Sequence, residues 1–243
     1  MNSYDFLNYL TVYLEGSEDG DTSTGFNLSA TGFYTVVDID GKQEPAIVTA
    51  GHFAEKTPLT RFTLHSNSEG EILTLPLIMN ADWITSDGCD LAYCKLSDIE
   101  EEFKKIYGKK LFYTSISKEN ILSEREKQSI PVLSEVVTVG YSLKLYNTHN
   151  RYPLFFKGHL STPPKDNYEN KTGYVDMSAN NGLSGSPILL NNSVPKLVGI
   201  LTSAVCSGKN PTDNLCTYVD AQRLFEFNNK FVIFLSNIAY FLY

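Results

Sequence analysis

The chain has 243 residues, 42% of them hydrophobic and 20% charged, which are the proportions of a folded globular protein and exclude a disordered one. Its formal charge is −8 and it carries no long basic run, so nucleic acid is not expected as its main partner, because phosphate binding needs clustered Lys and Arg. Its most apolar stretch, Phe231 to Tyr243, is 13 residues long, and no transmembrane segment is expected because a spanning helix needs about 20.

The N-terminus, Met-Asn-Ser-Tyr-Asp-Phe-Leu, has no basic region followed by an apolar core. The sequence therefore predicts a chain without a secretory signal. A cytoplasmic protein is expected, with an exported effector as the alternative. Short β-branched and aromatic runs follow, each bounded by Gly, Pro, Asn, Asp or Ser. The first four are Gly32–Asp38, Pro45–Thr49, Ile72–Ile78 and Leu91–Leu96. Asp38-Ile-Asp-Gly41 reads as a hairpin turn, because Asp-Gly tolerates positive φ. A charged helical stretch, Asp98 to Lys110, comes next and with Ser117 to Gln128 reads as an exposed connector. Further strands are expected at Val136–Val139, Leu154–Phe156, Gly173–Met177, Pro187–Leu190 and Lys196–Thr202. Asp220 caps a C-terminal helix with Leu224 and Phe227 on one face. The apolar tail is read as packed on the body, with a membrane-surface or partner contact as the alternative. Repeated short strands favour a sandwich or barrel over an α/β sheet.

The cysteines give no disulfide framework. Cys89 and Cys94 would point to opposite faces of one strand, and Cys206 and Cys216 could meet across a hairpin, but buried thiols are the expectation. Neither CxxC nor HExxH occurs, so no metal or other cofactor is expected.

Three local motifs carry chemistry. Ala46-Ile-Val-Thr-Ala-Gly-His52 is an apolar strand with a histidine at its end, and Asp90-Leu-Ala92 opens another strand with an aspartate. Either alone is commonly structural. Gly182-Leu-Ser-Gly-Ser-Pro187 flanks a serine with glycines, which lets the backbone turn sharply and aim consecutive N–H groups at one point, as an oxyanion site requires.

Together, in this order, the motifs resemble the signatures of trypsin/chymotrypsin-like serine peptidases over roughly residues 28 to 225. Ala30-Thr-Gly-Phe33 is similar to a stretch of the bacterial branch of that family. The histidines (His52, His65, His149 and His159) all precede Ser184, which excludes the order of an α/β-hydrolase. The resemblance implies an all-β fold of two antiparallel barrels, chymotrypsin-like, with the active site in the cleft between them and a C-terminal helix. It divides the chain into an N-terminal barrel at 1–100, a connector at 101–130, a C-terminal barrel at 131–218, and a helix with apolar tail at 219–243.

It further implies Ser184 as nucleophile, His52 as general base, Asp90 as the group orienting the histidine, and the N–H groups of Gly182 and Ser184 as the oxyanion hole. Ser178, Leu201 and Ala204 fall at the family's primary specificity pocket, which then lacks charge and favours apolar or medium-sized residues before the cut. Leu183 stands where digestive members have an aspartate, so activation by a newly freed N-terminus is not expected. The implied function is a serine endopeptidase acting on a restricted protein or peptide substrate, with a regulatory protein partner as a further expectation. A catalytically silent peptide-binding module on the same fold, and an esterase or acyltransferase using the same residues, are the alternatives.

Overall fold

A computed structural model describes residues 5–18, 25–68, 71–143, 145, 151–165, 171–178, 180–207 and 210–227. The first half forms a seven-stranded antiparallel sheet of β1 (Thr11–Gly16), β2 (Leu28–Ile39), β3 (Lys42–Thr49), β4 (Leu59–Ser68), β5 (Glu71–Asn80), β6 (Ile84–Thr85) and β7 (Ala92–Lys95). Their order across the sheet is β5-β4-β1-β2-β3-β7-β6. The second half contributes β8 (Glu135–Gly140), β9 (Leu154–Leu160), β10 (Thr172–Asp176), β11 (Pro187–Leu190), β12 (Lys196–Ser207) and β13 (Asn210–Asp220). These close into a barrel in the order β10-β13-β12-β11-β8-β9.

The two-residue period of a strand explains why both faces of the first sheet are apolar at its centre. Phe33 pairs with Val48 and Tyr34 with Ile47. Tyr34, Ile47 and Cys94 point into one core with Leu14, Phe62 and Leu77. Phe33, Val48 and Tyr93 point the other way, into a second core shared with Leu189 and Leu197 of the barrel. That shared core fastens the sheet to the barrel. A third core, including Val175, Ile188 and Val198, fills the barrel itself.

The β2–β3 hairpin turns at Asp40 (φ 52°) and Gly41 (φ 79°), and the Gly41 N–H donates to Asp38 Oδ1 at 2.8 Å, as the Asp-Gly pair predicts. Helix α1 (Gly51–Ala54) is a single turn after β3. Helix α2 (Leu96–Tyr107) buries Ile99 and Phe103, four residues apart, and stops at Gly108 with φ 65°.

The rest of the connector differs from expectation. The segment Ser117–Gln128, read as exposed, buries Ile121, Leu122 and Lys127. Its charged composition misleads because helix α3 (Glu124–Lys127) points its lysine inward, to Asp220 at 2.5 and 2.6 Å and to Glu124 at 2.8 Å. Asp220 also caps the 3-10 turn Ala221–Phe225 by accepting the Gln222 N–H at 2.9 Å. Phe227 then packs edge-on against Tyr93, with ring centroids 4.7 Å apart. The apolar stretch 231–243 lies outside the described residues.

Cys89, Cys94 and Cys216 are thiols; Cys216 sits opposite Ala204, and Cys206 opposite Pro211. Among the described residues no helix is long and apolar enough to cross a membrane.

Candidate active site

The cleft is built from three chain segments. Strand β3 delivers His52 on helix α1, directly beyond its end. Asp90 lies just ahead of β7, the neighbour of β3 in the sheet, so adjacent strand ends bring the two side chains together. The approach is close. A Cβ on Gly51 would stand 3.1 Å from both Asp90 Oδ1 and the Leu91 nitrogen, a tight contact.

The Asp90 carboxylate grips His52 twice. It accepts the His52 backbone N–H at 2.7 Å through Oδ1 and faces ring Nδ1 at 2.8 Å through Oδ2. Partial burial pulls the Asp90 pKa upward. The His52 ring hydrogen bond, the His52 N–H, the His52 charge and the Gly51 N–H outweigh it, so the net shift is below the usual value. An ionised carboxylate only accepts, so Nδ1 carries the proton, and in the neutral ring Nε2 is left as an acceptor.

The Ser184 turn is held from both sides. The Thr31 N–H donates to the Ser184 carbonyl at 2.9 Å and the Thr31 hydroxyl to the Gly182 carbonyl at 2.8 Å. That hydroxyl also accepts the Tyr141 N–H at 2.9 Å, and Thr49 Oγ1 donates to the Thr31 carbonyl at 2.9 Å. From the barrel side, the Gly185 N–H donates to the Leu201 carbonyl at 2.7 Å, and the Leu201 N–H to the Ser186 carbonyl at 2.9 Å. Gly182 (φ 100°) and Gly185 (φ 89°) adopt left-handed backbone, and a Cβ on Gly185 would collide with the Thr31 carbonyl.

Peptide planarity then fixes the direction of the two N–H groups that matter. The Asn181 carbonyl accepts the Leu143 N–H at 2.7 Å, so the Gly182 N–H points the opposite way. The Leu183 carbonyl accepts the Ser186 N–H at 2.9 Å, which does the same for the Ser184 N–H. Neither N–H donates to a backbone carbonyl among the described residues. The Ser184 hydroxyl donates to the Thr202 carbonyl at 3.0 Å.

His52, Gly182 and Ser184 line one cavity of about 470 Å³. Ser178, Leu201 and Ala204, the residues expected at the specificity pocket, are not among those that line this cavity. Ser178 is exposed and donates to Asn214 Oδ1 at 2.9 Å, and Ala204 is half-buried on β12. Leu201 is buried in the barrel core in one cluster with Leu183 and Tyr218.

Sequence reasoning missed how the serine turn is anchored. Thr31 was visible only as part of the Ala30–Phe33 string, with nothing to mark its hydroxyl as the clamp. Lys56 and Leu143, which also line the cavity, carried no signal at all. Two of the thiols compete poorly as nucleophiles: burial pushes Cys94 up to about 12, and partial burial raises Cys89 as well.

A closed six-stranded antiparallel barrel beside a second β-sheet, with few helices, is the chymotrypsin-like protease fold. Among solved structures, the chain is similar to one described as "HtrA-type protease AlgW with tripeptide", with a TM-score of 0.57 and 13% sequence identity. The similarity covers 93% of this chain and 60% of that one, so the chain spans three fifths of that protease's length. No protein-family model and no curated protein matches the sequence.

Proposed function

We propose that the chain is a serine endopeptidase with Ser184 as nucleophile, His52 as general base and Asp90 as the residue that orients the imidazole. One observation carries this reading: the Asp90-bound histidine and the serine share a cavity, and the Gly182 and Ser184 N–H groups of the serine turn both point opposite to the bonded carbonyls of their own peptide units. In the reaction, Ser184 Oγ turns from the Thr202 carbonyl toward His52 Nε2 and attacks the substrate carbonyl carbon as its proton passes to Nε2. The oxyanion receives the N–H groups of Gly182 and Ser184; one such donor is worth about 2.7–4 kcal/mol. The C–N bond breaks as His52 protonates the leaving amine. Water, deprotonated by His52, then hydrolyses the acyl-enzyme.

The acyl-side residue of the substrate would meet Ser178 and Ala204, which offer no charge and suit apolar or medium-sized side chains. Leu183 is buried in the barrel core, so order in the serine turn comes from the neutral threonine contacts and needs no freed N-terminus. Restricted substrates or a regulatory protein partner complete this reading.

The Ser184–Thr202 hydrogen bond favours a second reading, a silent peptide-binding module in which the hydroxyl stays parked. Hydrolysis of an unfolded protein substrate separates the two. Cleavage by the parent chain that is lost in Ser184→Ala supports the peptidase; cleavage equal in both overturns it, as does absence of cleavage together with no fluorophosphonate uptake by the parent chain.

A further inference from the structure

Neither Ser178 nor Ala204 lines the cavity that holds His52 and Ser184. Its lining reaches from helix α1 and Lys56 beyond it to the start of β2 and to Leu143. At about 470 Å³ it lies in the range of roughly 300–1,000 Å³ typical of small-ligand sites, so it accommodates a substrate side chain. Its wall is chemically mixed. Leu28, Phe53 and Leu143 supply apolar surface, Ser29 and Asn181 supply hydrogen-bonding groups, and Lys56 supplies a cation. Lys56 is exposed, and it takes part in no ion pair among the described residues.

On the reading above, the acyl part of the substrate occupies the Ser178 and Ala204 side. The amine part, the one that departs, must then lie over this cavity. We propose that the cavity selects the first or second residue after the cut, that Lys56 sets its preference, and that the preferred side chain is acidic, with glutamate fitting best. Glutamate's methylenes rest on Leu28, Phe53 and Leu143, while its carboxylate meets the Lys56 ammonium. A substrate lysine or arginine in the same place meets a like charge. The formal charge of the chain is −8, so long-range steering would disfavour acidic peptides, and a preference for them has to come from this local cation.

The test rests on the peptidase reading but fails separately from it. The parent chain digests a proteome-derived peptide library, and sequencing of the new N-termini reads the residues after each cut. Glu is expected about fivefold over Lys at one of the first two positions, in line with a single solvent-exposed charge pair. Lys56→Glu should reverse that ratio. Lys104→Glu, a charge reversal on the exposed face of helix α2, should keep it. Raising the salt from 0.02 to 0.5 M should shrink the ratio, because exposed charges are screened. Cuts with no acidic preference in the parent, or a preference unchanged by Lys56→Glu, overturn the assignment of Lys56 and leave the peptidase reading standing. No cleavage of any peptide overturns both.

Discussion

Two of the ion pairs that join distant parts of the chain differ in what they leave unspent. His52 and Asp90 meet 2.8 Å apart at the cleft, with side chains 47% and 36% exposed. Lys127 and Asp220 meet at 2.5 Å with the lysine side chain fully buried. In the buried pair each group is satisfied on several sides: the lysine also reaches Glu124, and the aspartate also caps the turn after β13. Nothing remains to offer a ligand, so that pair ties the connector to the barrel. In the cleft pair the carboxylate fixes one ring nitrogen and leaves the other facing a cavity. What separates a structural pair from a chemical one is an unspent acceptor next to open space, and the short distance itself decides nothing.

The largest expected effect comes from making the cleft pair structural in all but chemistry. Asp90→Asn keeps the shape but puts a donor where Nδ1 needs an acceptor, which imposes the wrong tautomer. Peptide hydrolysis should fall on the order of 10⁴-fold. The urea midpoint should move by less than about 1 kcal/mol of stability, since the pair is exposed and screened. Activity within tenfold of the parent would break the comparison.

Lys127→Met should reverse the pattern. It leaves the Asp220 carboxylate buried without its cation and should destabilise the fold by about 3–5 kcal/mol. Lys127→Met combined with Asp220→Leu should recover most of that loss, less the capping bond to Gln222. Protein that remains folded should still react at Ser184. A single variant as stable as the parent would mean that the buried pair is not the tie described above.

Thr31→Val sharpens the comparison from the serine's side. It removes the hydroxyl that serves both the Gly182 carbonyl and the Tyr141 N–H, both buried contacts. A loss of about 1–3 kcal/mol is expected, together with slower reaction of Ser184. Equal rates in both proteins would show that the turn needs no clamp from the first sheet.

The smallest effect is that of acid on the cleft pair. The Asp90 pKa is lowered on folding despite partial burial, so its contribution is fully present above the unfolded value of about 3.9 and is lost as pH falls through the lower folded value. The stability difference between the parent and Asp90→Asn, measured by urea unfolding from pH ~5 downward, should therefore hold until pH ~4, then shrink, and vanish only below the lowered folded value. A difference that grows on acidification would have the wrong sign.

Much of this architecture is legible in the sequence where a strand keeps one consistent pattern. Runs such as Pro45–Thr49, Gly173–Met177 and Pro187–Leu190 are apolar and bounded by turn residues, and each lies on or overlaps an observed strand. β1, β4 and β13 were not anticipated. All six residues of β1 are buried, so alternation is absent, whereas β4 carries Thr60, Arg61, Thr63, His65 and Ser66 and reads as polar. β13 begins Asn-Pro-Thr-Asp-Asn, which reads as a loop. At the site, residues within contiguous motifs could be found because the backbone chemistry is local. The Thr31 clamp and the Lys56 rim could not, since each acts across more than a hundred positions of chain that only the folded cleft brings together.

Covalent labelling by a fluorophosphonate tests the central claim most directly, because it needs an activated serine beside a working base and an oxyanion site, and no knowledge of the substrate. Mass spectrometry of the parent chain should show one adduct, mapped to Ser184, and none in Ser184→Ala. His52→Ala should react at a rate lower by orders of magnitude, since the members of such a set act as a unit. A parent chain that takes up no probe, or an adduct that persists in Ser184→Ala, would contradict the account.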